Sequence, residues 1–215
     1  MRAPASSKPS TLSPEWIKRG IYVLGMLPAA GAFYYGVTDQ LGAEPIKALE
    51  KLLGLYALRF LVIGLMITPL RKLGGPNFVR YRRAIGLLAF FNAALHVTVY
   101  LWLDQDFNIA AIWKDLVKRP YITIGMLAFS ILIPLAITSN TAMIKRLGAQ
   151  AWQKLHKLVY LAVPAACLHF YLLFKVKIPT LEPMLYASAT VLLLGYRVWD
   201  AYRVKPERAR RQAPG

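Results

Sequence analysis

The sequence predicts an all-α membrane protein: a six-helix transmembrane bundle with both termini in the cytoplasm. Three observations lead there. The 215 residues are 57% hydrophobic, with a mean hydropathy of +0.41, too apolar for an ordinary soluble domain. Six apolar runs approach the ~20 residues that a bilayer core asks of a helix. The basic residues are also uneven between connections. The N-terminus, 71–83, 145–157 and 197 onward hold 19 of the 27 Lys and Arg; the opposite segments hold seven, and Arg59 lies inside a run. The positive-inside rule puts the rich set in the cytoplasm, and an even number of crossings returns the chain to its starting side.

Residues 1–19 read as a cytoplasmic tail, rich at first in Pro and Ser. Ala29-Ala30-Gly31 imitates a cleavage site, but the later apolar runs favour a retained first helix over a signal peptide. The first span is 20–37, free of charge. The mixed connection 39–51 leads into a short interfacial helix at 45–53. The second span is 52–70, broken only by Arg59, which reads as snorkelling to the outer surface or pairing there. The third is 84–103. The uncharged stretch 120–144 contains the fourth, and 158–174 is the fifth. The sixth, 183–196, is the shortest. Residues 20–201 form one transmembrane domain with no evident linker or internal repeat, and 202–215 form a basic cytoplasmic tail suited to anionic lipid.

The net charge of +17 does not indicate nucleic-acid binding, because the cations flank apolar runs and no polar basic domain is present. The lone Cys167 excludes an internal disulfide and any all-cysteine iron–sulfur site. In its apolar run it reads as a packing residue.

All three histidines fall in or beside spans. His96 is 13 residues past Arg83, the last cytoplasmic charge before it, which puts it roughly 20 Å into the bilayer at a rise of about 1.5 Å per residue. His169 is 13 residues past His156 on the fifth helix. His96 and His169 are therefore expected at matched depth on the outer side, as bis-imidazole ligation of one haem iron requires. Spacing alone also allows interhelical hydrogen bonds or an ion path. Between Leu52 and Tyr196 the carboxylates that a proton path wants are only Asp104, Asp106, Asp115 and Glu182, all in the outer connections. His156 lies at the cytoplasmic mouth, about 140° from His169 around an ideal helix, with Pro164 between them as a candidate kink. Arg82 sits near the face of His96 at the level of His156. The two could flank an inner cofactor, with Arg82 pairing a haem propionate or a flavin phosphate; the alternative is that Arg82 is one more positive-inside anchor.

Several stretches together carry a resemblance. They are Leu41-Gly42-Ala43-Glu44-Pro45, Ala57-Leu58-Arg59-Phe60-Leu61, Ile67-Thr68-Pro69-Leu70-Arg71, Arg82-Arg83-Ala84-Ile85-Gly86-Leu87, Leu95-His96-Val97-Thr98-Val99-Tyr100, Arg119-Pro120-Tyr121-Ile122-Thr123-Ile124-Gly125, Thr138-Ser139-Asn140-Thr141-Ala142-Met143 and Trp152-Gln153-Lys154-Leu155-His156. In this order the chain resembles the MsrQ family, haem-binding membrane subunits of periplasmic methionine sulfoxide reductase systems, within the ferric-reductase-like transmembrane group. The resemblance implies an electron conduit in the bacterial inner membrane. Its donor would be the quinone pool or a cytosolic flavin reductase. Its acceptor would be a periplasmic molybdopterin-containing methionine sulfoxide reductase, paired with it as a heterodimer. It implies haem b, one or two, and brings in FMN as a further cofactor. The family's histidines correspond to His96, His156 and His169, all candidate iron ligands. Arg82 stands near where related ferric reductases carry a fourth histidine.

On this reading sulfoxide reduction belongs to the partner chain, and the outer connections 104–119 and 175–183 are its natural docking surface. No length remains after the sixth span for a soluble flavin/nicotinamide domain. The rivals are a stand-alone ferric or superoxide-forming haem reductase, a proton or ion transporter, and a redox-inert anchor for the partner.

Overall fold

A computed structural model describes the backbone of residues 15–177 and 181–212, and the side chains of 15–173 and 181–203. The tail 1–14, residues 178–180 of the second docking connection and the last three residues lie outside the described part.

The described chain is helical, with no strand among the described residues. The helices are α1 (Glu15–Val37), α2 (Pro45–Lys72), α3 (Arg82–Val99), α4 (Ile109–Lys118), α5 (Pro120–Ile137), α6 (Thr141–Leu147), α7 (Ala149–His156), α8 (Val159–Lys177) and α9 (Leu181–Gln212). A 3₁₀ turn at Val79–Tyr81 leads into α3, and a π-helical turn at Tyr100–Asp104 leaves it. Five helical stretches are long and apolar enough to cross a membrane: α1, α2, Val79–Asp104, α5 and Ala149–Leu173. The predicted sixth span is helical too, as part of α9. That helix is less apolar, carrying Glu182, Arg197 and Asp200, and runs through the start of the expected tail to Gln212.

Two boundaries differ from the sequence reading. The interfacial helix at 45–53 is not separate: nothing between Pro45 and Lys72 breaks the backbone, and Pro45 at the first turn starts one continuous α2. The uncharged stretch 120–144 is divided. α5 ends at Ile137, and Asn140 turns extended to cap α6, its Oδ1 accepting from Met143 N at 2.8 Å.

α2 is central, packing against α1, α3, α8 and α9. Its leucines 55, 58, 61 and 65 recur at helical spacing and enter a core with Ala89 of α3, Leu132 of α5 and Val163 of α8. Lipid removes the hydrophobic drive between helices, so close approach of small residues and van der Waals contact hold them. Ala89 and Ala162 are fully buried at such points. α3 packs chiefly on α2, and α8 chiefly on α5, while α3 and α8 are not a closely packed pair. The molecule is therefore two hairpins, α2–α3 and α5–α8, with α1 and α9 outside them.

Candidate functional site

The two hairpins face each other through histidines. His96, near the end of α3, and His169, in the second half of α8, have ring centroids 6.1 Å apart with planes crossed at 72°. The two imidazoles that the sequence reading pairs thus lie side by side. Each ring is half-buried and tied from behind. His96 Nδ1–H donates to Glu50 O on α2 at 2.8 Å, and His169 Nδ1–H donates to Tyr121 O on α5 at 2.6 Å. A carbonyl can only accept, so each Nδ1 carries the proton and each Nε2 keeps its lone pair. A metal bound to one nitrogen of each ring at about 2.0–2.1 Å would set the centroids roughly 6 Å apart once the ring radii are added. The pair has that spacing.

Glycines make room for both rings. Gly54 lies one turn along α2 from Glu50, and a Cβ there would meet His96 Nδ1 at 3.1 Å; at Gly125, one turn from Tyr121, it would meet His169 Nδ1 at 2.7 Å. Above the pair, a polar rim closes the end where α2 and α5 begin. Lys47 bridges Asp104 at 2.6 Å and Glu50 at 3.6 Å, Tyr100 OH donates to Asp115 at 3.3 Å, and Arg119 pairs with Asp115 at 3.2 Å. Arg59 does not join the pair. It donates to Tyr186 OH on α9 at 3.0 Å.

His156 stands apart. It closes α7, a turn at Lys157–Leu158 separates it from α8, and α8 carries Pro164 in its interior. Its Nε2 lies 3.0 Å from Thr138 Oγ1. That hydroxyl already donates to Pro134 O at 2.7 Å, so it accepts from His156 Nε2–H. Trp152 stacks on the imidazole with centroids 3.9 Å apart, and its Nε1–H donates to Thr138 O at 2.9 Å. Arg82 and His156 both line a cavity of about 690 Å³ between the hairpins, with Trp152, Lys157, Tyr160 and Phe90. Its other cations are Lys18, Arg80 and Arg83, and no carboxylate among the described residues lines it. His96 and His169 are not on its walls.

The four residues singled out from the sequence therefore form two sets, His96 with His169 and Arg82 with His156. The chain matches the family described as "Ferric reductase like transmembrane component" over residues 53–167, a segment that holds His96, Arg82 and His156. It is 47% identical over 201 residues to the protein-methionine-sulfoxide reductase heme-binding subunit MsrQ of Brucella ovis, covering 93% of this chain and 90% of that protein. The MsrQ subunits of Brucella canis and Brucella suis match to the same extent.

The chain belongs to the MsrQ family.

The MsrQ likeness covers 93% of the chain, whereas the ferric-reductase match starts inside α2 and stops two residues before His169. The sequence reading missed the partners that hold the rings. Glu50 and Tyr121 act through backbone carbonyls, which no side-chain pattern reveals. Gly125, Thr138 and Trp152 lie within the stretches that carry the MsrQ resemblance, but none of the three is ionisable. A usable signal was present: Gly54-Leu55-Tyr56-Ala57 and Ala93-Ala94-Leu95-His96 recur as Gly125-Met126-Leu127-Ala128 and Ala166-Cys167-Leu168-His169. These matching positions lie one set on each hairpin.

Proposed function

We propose that the protein is a six-span cytochrome b of the bacterial inner membrane, with both termini cytoplasmic. It passes electrons to a periplasmic molybdopterin-containing methionine sulfoxide reductase. The observation that carries this reading is the His96–His169 pair, 6.1 Å apart with both Nδ1 atoms committed to carbonyls. Among the described residues no three His, Cys, Asp or Glu gather to hold a bare metal ion. Two opposed neutral imidazoles instead suit an iron whose other four positions a porphyrin fills. Haem b, when bound there, supplies one-electron chemistry. The chain's own residues do the positioning. Glu50 O and Tyr121 O fix the tautomers, and donation by Nδ1–H makes each imidazole a stronger ligand. The apolar spans keep bulk water from the rings.

His156 and Arg82 serve a separate inner site. The cavity they share is cationic and partly aromatic in its lining, which fits an anionic planar cofactor: a second haem, with His156 as an iron ligand, or FMN. A quinone fits the aromatic walls. The donor is the quinone pool or a cytosolic flavin reductase. The acceptor's chemistry is repair of methionine sulfoxide, a reversible lesion, and the connection around α4 is the surface offered to it.

Purified full-length protein should show a Soret band, with haem-to-protein and flavin-to-protein ratios that count the sites. His96→Ala and His169→Ala should each abolish the low-spin signal of the outer haem. A normal six-coordinate spectrum in both would end the ligand assignment, and a colourless wild-type protein would favour a transporter.

A further inference from the structure

Glycine on a transmembrane helix usually lets two backbones approach. Gly54 and Gly125 admit something else. The atoms an added Cβ would meet are imidazole atoms: His96 Nδ1 and Cε1 at 3.1 and 3.2 Å from Gly54, and His169 Nδ1 and Cε1 at 2.7 and 3.0 Å from Gly125. Ordinary van der Waals contact begins near 3.4 Å. Four other glycines of the spanning helices, Gly20, Gly31, Gly86 and Gly195, have nothing within 4 Å.

The two seats share one design. In a regular helix the carbonyl of residue i accepts from the N–H of residue i+4. Glu50 and Gly54 stand in that relation on α2, and Tyr121 and Gly125 stand in it on α5. Each histidine reaches the carbonyl by laying its ring over the glycine. Three residues beyond each glycine comes a buried alanine, Ala57 or Ala128, and seven before each histidine a fully buried one, Ala89 or Ala162. The same device occurs once per hairpin, on elements whose sequences otherwise agree at few positions.

We infer that Gly54 and Gly125 are positioning residues that set the axial imidazoles. Without a side chain at either place, the ring closes on the carbonyl four residues back and the two planes stay crossed. The inference rests on the haem reading above and concerns how that site is tuned. A Cβ at either position pushes the ring away and lengthens the Nδ1–H···O bond. The imidazole then donates less to the iron, the ferric state loses support and the midpoint potential rises. Ring rotation also changes the angle between the planes. The closer contact at Gly125 makes its substitution the more severe.

The test is ferric electron paramagnetic resonance and redox potentiometry on full-length protein carrying Gly54→Ala, Gly125→Ala or, as a control, Gly31→Ala. The expected result is a shifted largest g-value and a raised potential in the first two, larger for Gly125→Ala, with Gly31→Ala matching the wild type. Should Gly125→Ala lose its low-spin signal, added imidazole should restore it, because the seat and not the pocket has failed. Wild-type g-values and potential in both glycine variants would overturn the inference, as would a lost signal that imidazole does not restore together with a normal Gly54→Ala. His96→Ala and His169→Ala run alongside. Low-spin haem surviving in those two would remove the ligand assignment on which the inference rests, a different failure from unchanged glycine variants beside colourless histidine variants.

Discussion

His156 uses its ring the other way round from His96 and His169. Its Nε2–H is given to Thr138 Oγ1, so the nitrogen left with a lone pair is Nδ1, close to its own backbone. Trp152 covers one face of the ring. This difference separates the inner residue from the outer pair and argues for a separate role in electron entry. His156→Ala should leave the outer haem spectrum intact while slowing its reduction by the cytoplasmic donor, measured by stopped-flow; loss of all haem would assign His156 to the outer iron. Thr138→Val keeps the volume and removes the hydroxyl, so it should slow the same step less, by releasing the ring and leaving the imidazole in place. The residues that carry charge or imidazole were legible in the sequence, because ionisable groups in apolar runs are expensive and therefore conspicuous. Those acting through a carbonyl, a hydroxyl or a missing side chain were not.

At the scale of elements, α9 shows how a helix of mixed composition is held. Arg197 donates to Tyr160 OH on α8 at 2.9 Å and to Leu65 O on α2 at 2.8 Å, and Lys72 of α2 pairs with Asp200. One guanidinium fork thus ties α9 to both hairpins. Lys cannot reproduce it, having a single point of charge. Arg197→Leu should cost about 1.5–3 kcal/mol, the worth of hydrogen bonds from a charged group, read as a lower Tm in detergent; Arg197→Lys should recover only part. The spans were readable from apolar length, but their joints were not. Nothing apolar or charged marks the stop at Thr138-Ser139-Asn140. A cap decides it, and the capping side chain sits in a stretch that hydropathy treats as continuous. The joint between α2 and its supposed interfacial helix failed in the opposite sense, since a run of charge at 47–51 does not interrupt a helix whose propensities are good throughout.

For the whole molecule, the proposed orientation rests on the distribution of Lys and Arg, since the helix packing alone leaves it open. A single cysteine introduced at Lys114, in a Cys167→Ala background, should react with a membrane-impermeant maleimide from the periplasmic side. One at Lys145 should react only after the cells are opened. The reverse pattern would invert the proposed route. The likeness between the two hairpins was hidden because they agree at few positions beyond the glycine, some alanines and leucines and the histidine, and because α6 and α7 fill the second connection where the first has a short loop. Weak local identities become a pattern only once the folded chain sets them opposite one another.

The carbonyls behind His96 and His169 have one more consequence, for bioenergetics. An amide oxygen neither yields hydrogen ions nor stores them at physiological pH, so each imidazole is fastened to a dead end for proton hopping. If an iron sits between the two rings, as proposed, a change in its oxidation state draws no hydrogen ion through these imidazoles.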